Sequence, residues 1–250
     1  MTMKNFLNNK KFYIFAGVIS LILLWQIGAM IINSPLVLPS PWQTLKALPE
    51  VLTSALFYKR AGATLLRVVY GFLIVIIAGA ALAVISTRDR AENVIKPFMS
   101  VMRSIPTLVL TVLFLSWFAS DTAPVVIGVM MVLPVSYMSF LNSIKSVDKK
   151  LVEMARIYKI SSVNIVKDIY LPFSLKAFFP LVSNAFGMTL KVIISAEVLV
   201  LPVLSLGRAV FFEQTQLQIP NVFAYVLIIL AVTFLFDLIV NLVEKAVIKW

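Results

Sequence analysis

The sequence predicts an all-α integral membrane protein with six transmembrane helices. Apolar residues make up 61% of the 250 residues and charged residues only 13%. Soluble domains are usually about half apolar and about a quarter charged. Apolar runs of about 20 residues, the length that crosses a bilayer as a helix, recur along the chain. Most charged residues lie between those runs, as expected for loops that face water on the two sides of a membrane.

The composition also excludes several kinds of site. The chain has no cysteine and no histidine, so it offers no disulfide framework, no thiol or imidazole metal site and no histidine base. A net charge of +11 is more typical of Lys and Arg retained on the cytoplasmic side of a membrane than of nucleic-acid binding, because the basic residues are scattered along the loops. We therefore expect no catalytic, cofactor-binding or metal-binding residues and no nucleic-acid partner.

The order of apolar runs predicts where each span lies. The first run is long enough to span and has no convincing cleavage site, so we read it as a span and not as a signal peptide. A short interfacial helix should follow, with Ser40 as its N-cap, Pro41 as its first residue and a bend or interruption at Pro49. Arg67 is expected to extend to the membrane surface, and Pro106 to kink the third span. The predicted spans are 12–32, 61–86, 97–118, 124–144, 173–201 and 222–248.

The positions of the basic residues predict the orientation of the chain. Six spans place both termini on the same side of the membrane. The loops and termini on that side carry 15 of the 22 Lys and Arg residues, whereas the opposite side carries 4. Because Lys and Arg are enriched in cytoplasmic loops, we expect both termini to be cytoplasmic.

A polar segment, residues 148–172, separates the fourth and fifth spans on the cytoplasmic side. Asp148 can cap a first short helix, and a second that starts at Ser161 or Ser162 should end by Pro172. The pattern predicts two short amphipathic helices, and periodicity alone leaves open whether they bind a partner or lie on the bilayer surface. The apolar residues at helical spacing in the first half are Leu151, Met154, Ala155 and Tyr158.

Several short motifs occur in a fixed order along the chain. The sequence EMAR at residues 153–156, followed by IYLP at 169–172, resembles the "EAA" loop of permease subunits in bacterial ATP-binding-cassette (ABC) importers. The chain as a whole is similar to the nitrate, sulfonate, taurine and bicarbonate branch of these permeases, which includes thiamine-precursor and riboflavin importers. The further motifs that carry this resemblance are LPSPWQTLKAL, LLRVVYGF, RSIP at 103–106, SVD at 146–148 and AE at 196–197.

The resemblance implies the fold and the partners. It implies one permease domain over residues 1–250 with the type I importer fold, in the bacterial inner membrane. Residues 145–172, here called the coupling loop, would contact an ATPase. Two copies of the chain, two cytoplasmic ATPase subunits and an external substrate-binding protein would form the importer. The chain has no GxxxxGK[ST] phosphate loop, so the ATPase is a separate subunit. The solute would be small and anionic or heterocyclic, of the sulfonate, nitrate, taurine or vitamin-precursor type.

The resemblance also implies which residues contact the ATPase. The family usually has Gly where this chain has Lys159, and a non-Gly residue in a left-handed helix end costs on the order of 1 kcal/mol. This substitution leaves the geometry of the turn open. The residues expected at or near the ATPase groove are Glu153, Ala155, Arg156, Lys159, Ser161 and Ser162.

Three charged residues lie within predicted spans, where a charge is costly and usually faces a partner or a cavity. Lys191 and Glu197 lie on the fifth span and are too far out of phase to pair with each other. Lys191 is a candidate contact for an anionic substrate, although a structural pair or a side chain that extends to the membrane surface is the more ordinary role. Glu197 and Asp237 are expected to contact neighbouring helices. Other functions left open are an ATP-independent channel or carrier, an exporter, an intramembrane enzyme and an ABC permease for an unrelated solute.

Overall fold

A computed structural model describes residues 10–247, without the side chains of residues 10, 11, 149, 162, 166, 171 and 174–176. All regular secondary structure in this range is helical, and five helices are long and apolar enough to cross a membrane. A sixth span results if one bent helix pair is counted as a single span. The predicted all-α membrane fold is therefore confirmed. The helices are α1 (Lys10–Ile32), α2 (Pro41–Thr53), α3 (Ala55–Ile85), α4 (Asp89–Ser104), α5 (Thr107–Trp117), α6 (Ala123–Lys145), α7 (Lys149–Ile157), α8 (Ser162–Ile165), a π-helical turn (Val166–Tyr170), α9 (Leu171–Val200), α10 (Leu206–Thr215) and α11 (Ile219–Val247).

The third span is broken and not merely kinked. α4 begins at Asp89, continues through Pro97 and ends at Ser104, and α5 then leaves at an angle of 95°. The break lies at Ile105 and Pro106, because a residue that precedes proline is forced out of the helical region. Ile105 accordingly has extended backbone angles, φ −77° and ψ 126°. The prediction of one kinked helix over 97–118 is therefore wrong, although Pro106 is where the direction changes.

The residues separate into two compact units. The first unit contains the described residues up to Tyr58 together with Ala209–Ile229. Within it, Ser40 caps α2 as predicted: the Gln43 amide donates to Ser40 Oγ over 3.2 Å, and the Ser40 amide donates to Gln43 Oε1 over 2.8 Å. This reciprocal pair satisfies two amides at the helix start. Pro41 is the first residue of α2 as predicted, but the helix continues through Pro49 without interruption.

The second unit contains Lys59–Arg208 and the residues from Leu230 onward. Its centre is the packing of α5, α6 and α9. A β-carbon at Gly128 on α6 would lie 2.7 Å from Cγ1 of Ile193 on α9, so glycine is what lets these two helices approach so closely. This packing fixes α9, the helix that connects the coupling loop to the intramembrane charges. The core residues that hold the three helices together are Leu110, Phe114, Ala123, Ile127, Ala196 and Val200.

Candidate functional site

The coupling loop begins with a capped helix. α7 spans Lys149–Ile157, and the side chain of Asp148 accepts a hydrogen bond from the Lys150 amide over 2.9 Å. Such a cap satisfies an amide that has no partner within the helix and typically contributes about 1 kcal/mol. The first helix of the predicted pair and its cap are therefore present.

The turn after α7 adopts the conformation for which the family usually supplies glycine. Lys159 has φ 55°, in the left-handed region. The Ile160 amide donates to the Ala155 carbonyl over 3.0 Å, and the Lys159 amide donates to the Arg156 carbonyl over 2.9 Å. These two bonds form a Schellman helix end, in which the residue after the C-cap takes the left-handed conformation. Lys159 therefore accepts the strain, and the turn keeps the geometry that glycine would give.

The second half of the coupling loop differs from the prediction. The Asn164 amide donates to Ser161 Oγ over 3.3 Å, so Ser161 caps α8, which begins at Ser162. The side chain of Ser162 lies outside the described part of the structure. α8 ends at Ile165, before Pro172 as predicted, but the chain remains helical beyond it. The chain continues through the π-helical turn into α9, where Pro172 occupies a first-turn position that needs no amide hydrogen.

A small apolar core holds the coupling loop together. Ala155 is 5% exposed and packs with Val147, Val152 and Ile165. Ala155 was predicted at or near the ATPase groove, but its side chain belongs to the interior of the loop, where it allows α7 to pack against α8. The predicted apolar face is shifted for the same reason, since Val152 and Ala155 point inward while Met154 and Tyr158 are exposed.

The outer surface of the loop combines charge with exposed apolar side chains. Glu153 and Arg156 are both exposed and lie three residues apart on α7, so they share a helix face. Large apolar side chains left exposed on a polar loop commonly mark a protein or membrane contact. We call the following four residues the exposed apolar set. They are Met154 (51% exposed), Ile157 (77%), Tyr158 (76%) and Val163 (74%).

An ion pair fixes the point where α6 enters the coupling loop. Lys145, the last residue of α6, donates to Glu92 on α4. Glu92 also contacts Lys96 over 3.5 Å, one helical turn further along α4. This pair links α4 to the start of the loop.

A buried polar network lies near the other end of α9. Glu197 is fully buried, and its carboxylate accepts hydrogen bonds from Arg67 Nη1 over 2.9 Å and from Thr64 Oγ1 over 2.9 and 3.0 Å. The Gly207 amide is a further donor, 3.2 Å from Oε2. Thr64 Oγ1 in turn accepts from the Leu206 amide over 2.9 Å. The buried charge of Glu197, which would be costly inside a membrane, is therefore compensated.

Arg67 is the centre of this network, which the sequence did not predict. Nη2 and Nε contact the Asp121 carboxylate and carbonyl over 2.6 and 3.1 Å, and Nη1 also donates to the Leu204 carbonyl over 2.9 Å. The Arg67 side chain is only 11% exposed, and its partner Asp121 is exposed in the turn between α5 and α6. The expectation that Arg67 extends to the membrane surface stays a prediction. The sequence feature that could have indicated this network is a pair of opposite charges, Arg67 and Glu197, in two different apolar runs.

The other two intramembrane charges have separate surroundings. Lys191 is exposed on α9 and lines a cavity between α5 and α9. Asp237 on α11 accepts a hydrogen bond from the Ser183 hydroxyl on α9. Glu197 is not among the residues that line the cavity. The structure thus separates Lys191 from Glu197, as their phase along the helix predicted, and gives Glu197 a bracing position.

Long apolar helices joined by a helical, polar loop define a polytopic membrane protein. The model of the binding-protein-dependent transport system inner membrane component family matches residues 71–249, and the chain belongs to this family. It is therefore the permease component of an ABC importer, a membrane subunit without catalytic function.

Two relatives cover most of the chain. The putative aliphatic sulfonates transport permease protein SsuC of Bacillus subtilis strain 168 is 26% identical over 234 residues, which cover 92% of this chain and 84% of the relative. The taurine transport system permease protein TauC of Escherichia coli strain K12 is 22% identical over 233 residues, covering 90% of this chain and 84% of the relative. These similarities bear out the sulfonate and taurine branch that the motifs indicated.

A solved structure has the same fold. A chain described as the crystal structure of an amino acid ABC transporter with histidines aligns with a TM-score of 0.58 and 20% sequence identity. The alignment covers 74% of this chain and 89% of that chain. The similarity supports the type I permease fold predicted from the motifs.

Proposed function

We propose that this permease is driven by a separate ATPase that binds the coupling loop, and that it imports a small anionic solute delivered by an external binding protein. Two copies of the chain form the pathway in the inner membrane of a bacterium. Both termini of each copy lie in the cytoplasm. The coupling loop is the observation that carries this proposal. It is an ordered pair of helices with its own core, an exposed apolar set and a charged face, continuous with α9.

The structure of the loop favours ATPase docking over mere contact with the bilayer surface. The exposed apolar set surrounds a turn that is held by a Schellman pattern at Lys159. Glu153 and Arg156 stand on the same helix and supply opposite charges for pairing with a protein partner. A rigid element of this kind can pass a displacement to the spans on either side of it, whereas a flexible loop cannot.

Co-purification tests the docking proposal. We expect the tagged chain, isolated in mild detergent from its source cells, to carry vanadate-sensitive ATP hydrolysis. Glu153→Lys should reduce the co-purified hydrolysis about tenfold, because charge reversal at an interface replaces an attraction by a repulsion. Glu50→Lys, the same reversal on exposed Glu50 of α2, should leave it unchanged. An ATP-independent channel or carrier would carry no hydrolysis in any preparation, which would refute the proposal.

The names of the two relatives support a sulfonate-type anion as the solute. A vitamin-precursor heterocycle is the alternative, and solute uptake separates the two. Deletion of the gene should abolish growth on an alkanesulfonate as the sole sulfur source and preserve growth on sulfate. Complementation with the wild-type chain should restore growth, whereas Glu153→Lys should not. Undiminished growth of the deletion strain on the alkanesulfonate would contradict this substrate class.

A further inference from the structure

Residues of α5 and α9 line an open cavity of about 450 Å³. This volume falls in the range of small-molecule sites, about 300–1,000 Å³. The cavity is separate from the coupling loop and from the Glu197 network, and every residue that lines it belongs to the second unit. The lining residues are Thr107, Leu108 and Thr111 of α5, and Lys191, Val192, Ser195, Ala196, Val198 and Leu199 of α9.

The polar groups in this cavity suit an anion. Lys191 is the one charged side chain among the lining residues, and no ion pair to it occurs within residues 10–247. Ser195 follows Lys191 by one helical turn and therefore lies on the same face of α9. Thr107 faces the cavity from α5. An ammonium group with neighbouring hydroxyl groups can donate several hydrogen bonds to one oxyanion.

The break in the third span adds a second source of positive potential. α5 starts at Thr107, so Thr107 and Leu108, both lining the cavity, form its first turn. The first backbone hydrogen bonds of α5 come from the amides of Val109 and Leu110, which donate to the Pro106 carbonyl. The amides before them have no acceptor within the helix. The positive end of a broken helix inside a membrane is a recurrent partner of anionic substrate groups.

The other lining residues favour a ligand that carries a single charged group and a short apolar chain. Leu108, Val192, Val198 and Leu199 present aliphatic carbon, and no carboxylate lines the cavity. One ammonium group balances one negative charge. We propose that this cavity is a binding site, within the permease itself, for a singly charged oxyanion that carries a short aliphatic chain. The inference rests on the proposed function and adds a second point of substrate recognition, with Lys191 as the group that selects for charge.

Binding of butanesulfonate to the purified full-length chain tests the site directly. In phosphatidylcholine nanodiscs, calorimetry should detect saturable binding of butanesulfonate and none of neutral butanol. Lys191→Met should weaken binding about tenfold or more, since hydrogen bonds to charged groups are among the stronger ones. Lys191→Arg, which keeps the charge, should retain most of the affinity. Lys46→Met is the matched control, because Lys46 lies on α2 and does not line the cavity.

Three results would overturn the proposal. The first is binding that Lys191→Met leaves unchanged in a variant whose melting curve matches the wild type. The second is an equal loss in Lys46→Met, which would mean unspecific attraction by net charge. The third is loss of butanesulfonate binding in phosphatidylglycerol nanodiscs, which would assign the site to a lipid headgroup. If Lys191→Met does not fold, a second experiment on the wild-type chain replaces the variant: bound butanesulfonate should protect Lys191 from an amine-acylating reagent. Absence of this protection would overturn the proposed site.

The same preparations distinguish the failure of this site from failure of the proposed function. Co-purified ATP hydrolysis reports on the ATPase partner and does not require that the cavity bind an anion. Hydrolysis without Lys191-dependent butanesulfonate binding would refute the cavity site alone. Binding without hydrolysis would refute the ATP-driven importer and leave the cavity site standing.

Discussion

Replacing Glu197 with glutamine tests whether the buried network stabilises the permease. The carboxylate of Glu197 accepts from three groups, Thr64, Arg67 and the Gly207 amide, and it is fully buried. Glutamine has nearly the same shape but has only one oxygen. Its NH₂ group must face either Arg67 or the Gly207 amide, both of which are donors. One buried donor then loses its acceptor, and Arg67 loses its buried counter-ion.

The expected cost follows from burial. Removing one partner of a buried ion pair costs about 3–5 kcal/mol. Asp121 provides an internal comparison, because it binds the same arginine but its side chain is 69% exposed. An exposed pair contributes only about 0–1 kcal/mol. Glu197→Gln should therefore destabilise the chain several-fold more than Asp121→Asn, although the two variants remove charges from the same guanidinium.

Thermal unfolding in detergent, followed by the fluorescence of the 4 tryptophans, measures the difference. A chain of this size shifts by roughly 2–4 °C per kcal/mol, so Glu197→Gln should lower the midpoint by about 6 °C or more and Asp121→Asn by about 4 °C or less. In the double variant Arg67→Met/Glu197→Gln, the loss should be smaller than the sum of the single losses. Equal shifts for the two single carboxylate variants, or additive losses in the double variant, would refute this account of the network.

Substitutions at three other positions have defined outcomes. Gly207→Ala should lower the unfolding midpoint, because its β-carbon would lie 2.4 Å from Glu197 Cβ and 2.6 Å from the Val198 nitrogen; an unchanged midpoint would contradict this packing. Lys159→Gly should slow hydrogen exchange in α7 roughly fivefold by relieving about 1 kcal/mol of left-handed strain, and Lys159→Val should accelerate it. Tyr137→Phe should cost about 1–3 kcal/mol, because it removes the 2.9 Å hydrogen bond to the buried Ser86 hydroxyl; a denaturant titration with no loss would refute this.

The position of the coupling loop was predictable because of solvation. A segment with the charge density of residues 148–172 cannot lie in hydrocarbon, and local capping chemistry identified Asp148 as the start of α7. The turn at Lys159 was harder to predict, since the residue there disfavours the conformation that it adopts. The two hydrogen bonds of the helix end and the packing of Ala155 beneath it decide the backbone. The hydrogen bonds of the helix end and the packing of Ala155 thus overrode the preference of one residue.

The buried network was not predictable from local pattern. Arg67 and Glu197 are 130 residues apart in the chain, and neither run of sequence indicates which helix faces which. The physical chemistry of membranes predicts that each charge needs a partner, but only the packing of α3 against the end of α9 supplies the choice. The cavity at Lys191 was likewise not predictable from local sequence pattern. One of the two helices that line it, α5, takes its direction from the 95° break at Pro106.

The helical connection around Pro172 is the most informative feature for the mechanism. Proline disfavours a helical residue before it, so a break between the coupling loop and the fifth span was expected. The chain instead widens into a π-helical turn over Val166–Tyr170 and continues as α9. π-turns of this kind are uncommon and occur often at functional sites. One continuous helical path therefore joins the coupling loop to Lys191, about 30 Å further along α9 at 1.5 Å per residue, and then to Glu197. A displacement of the loop can therefore reach the cavity along this helical path.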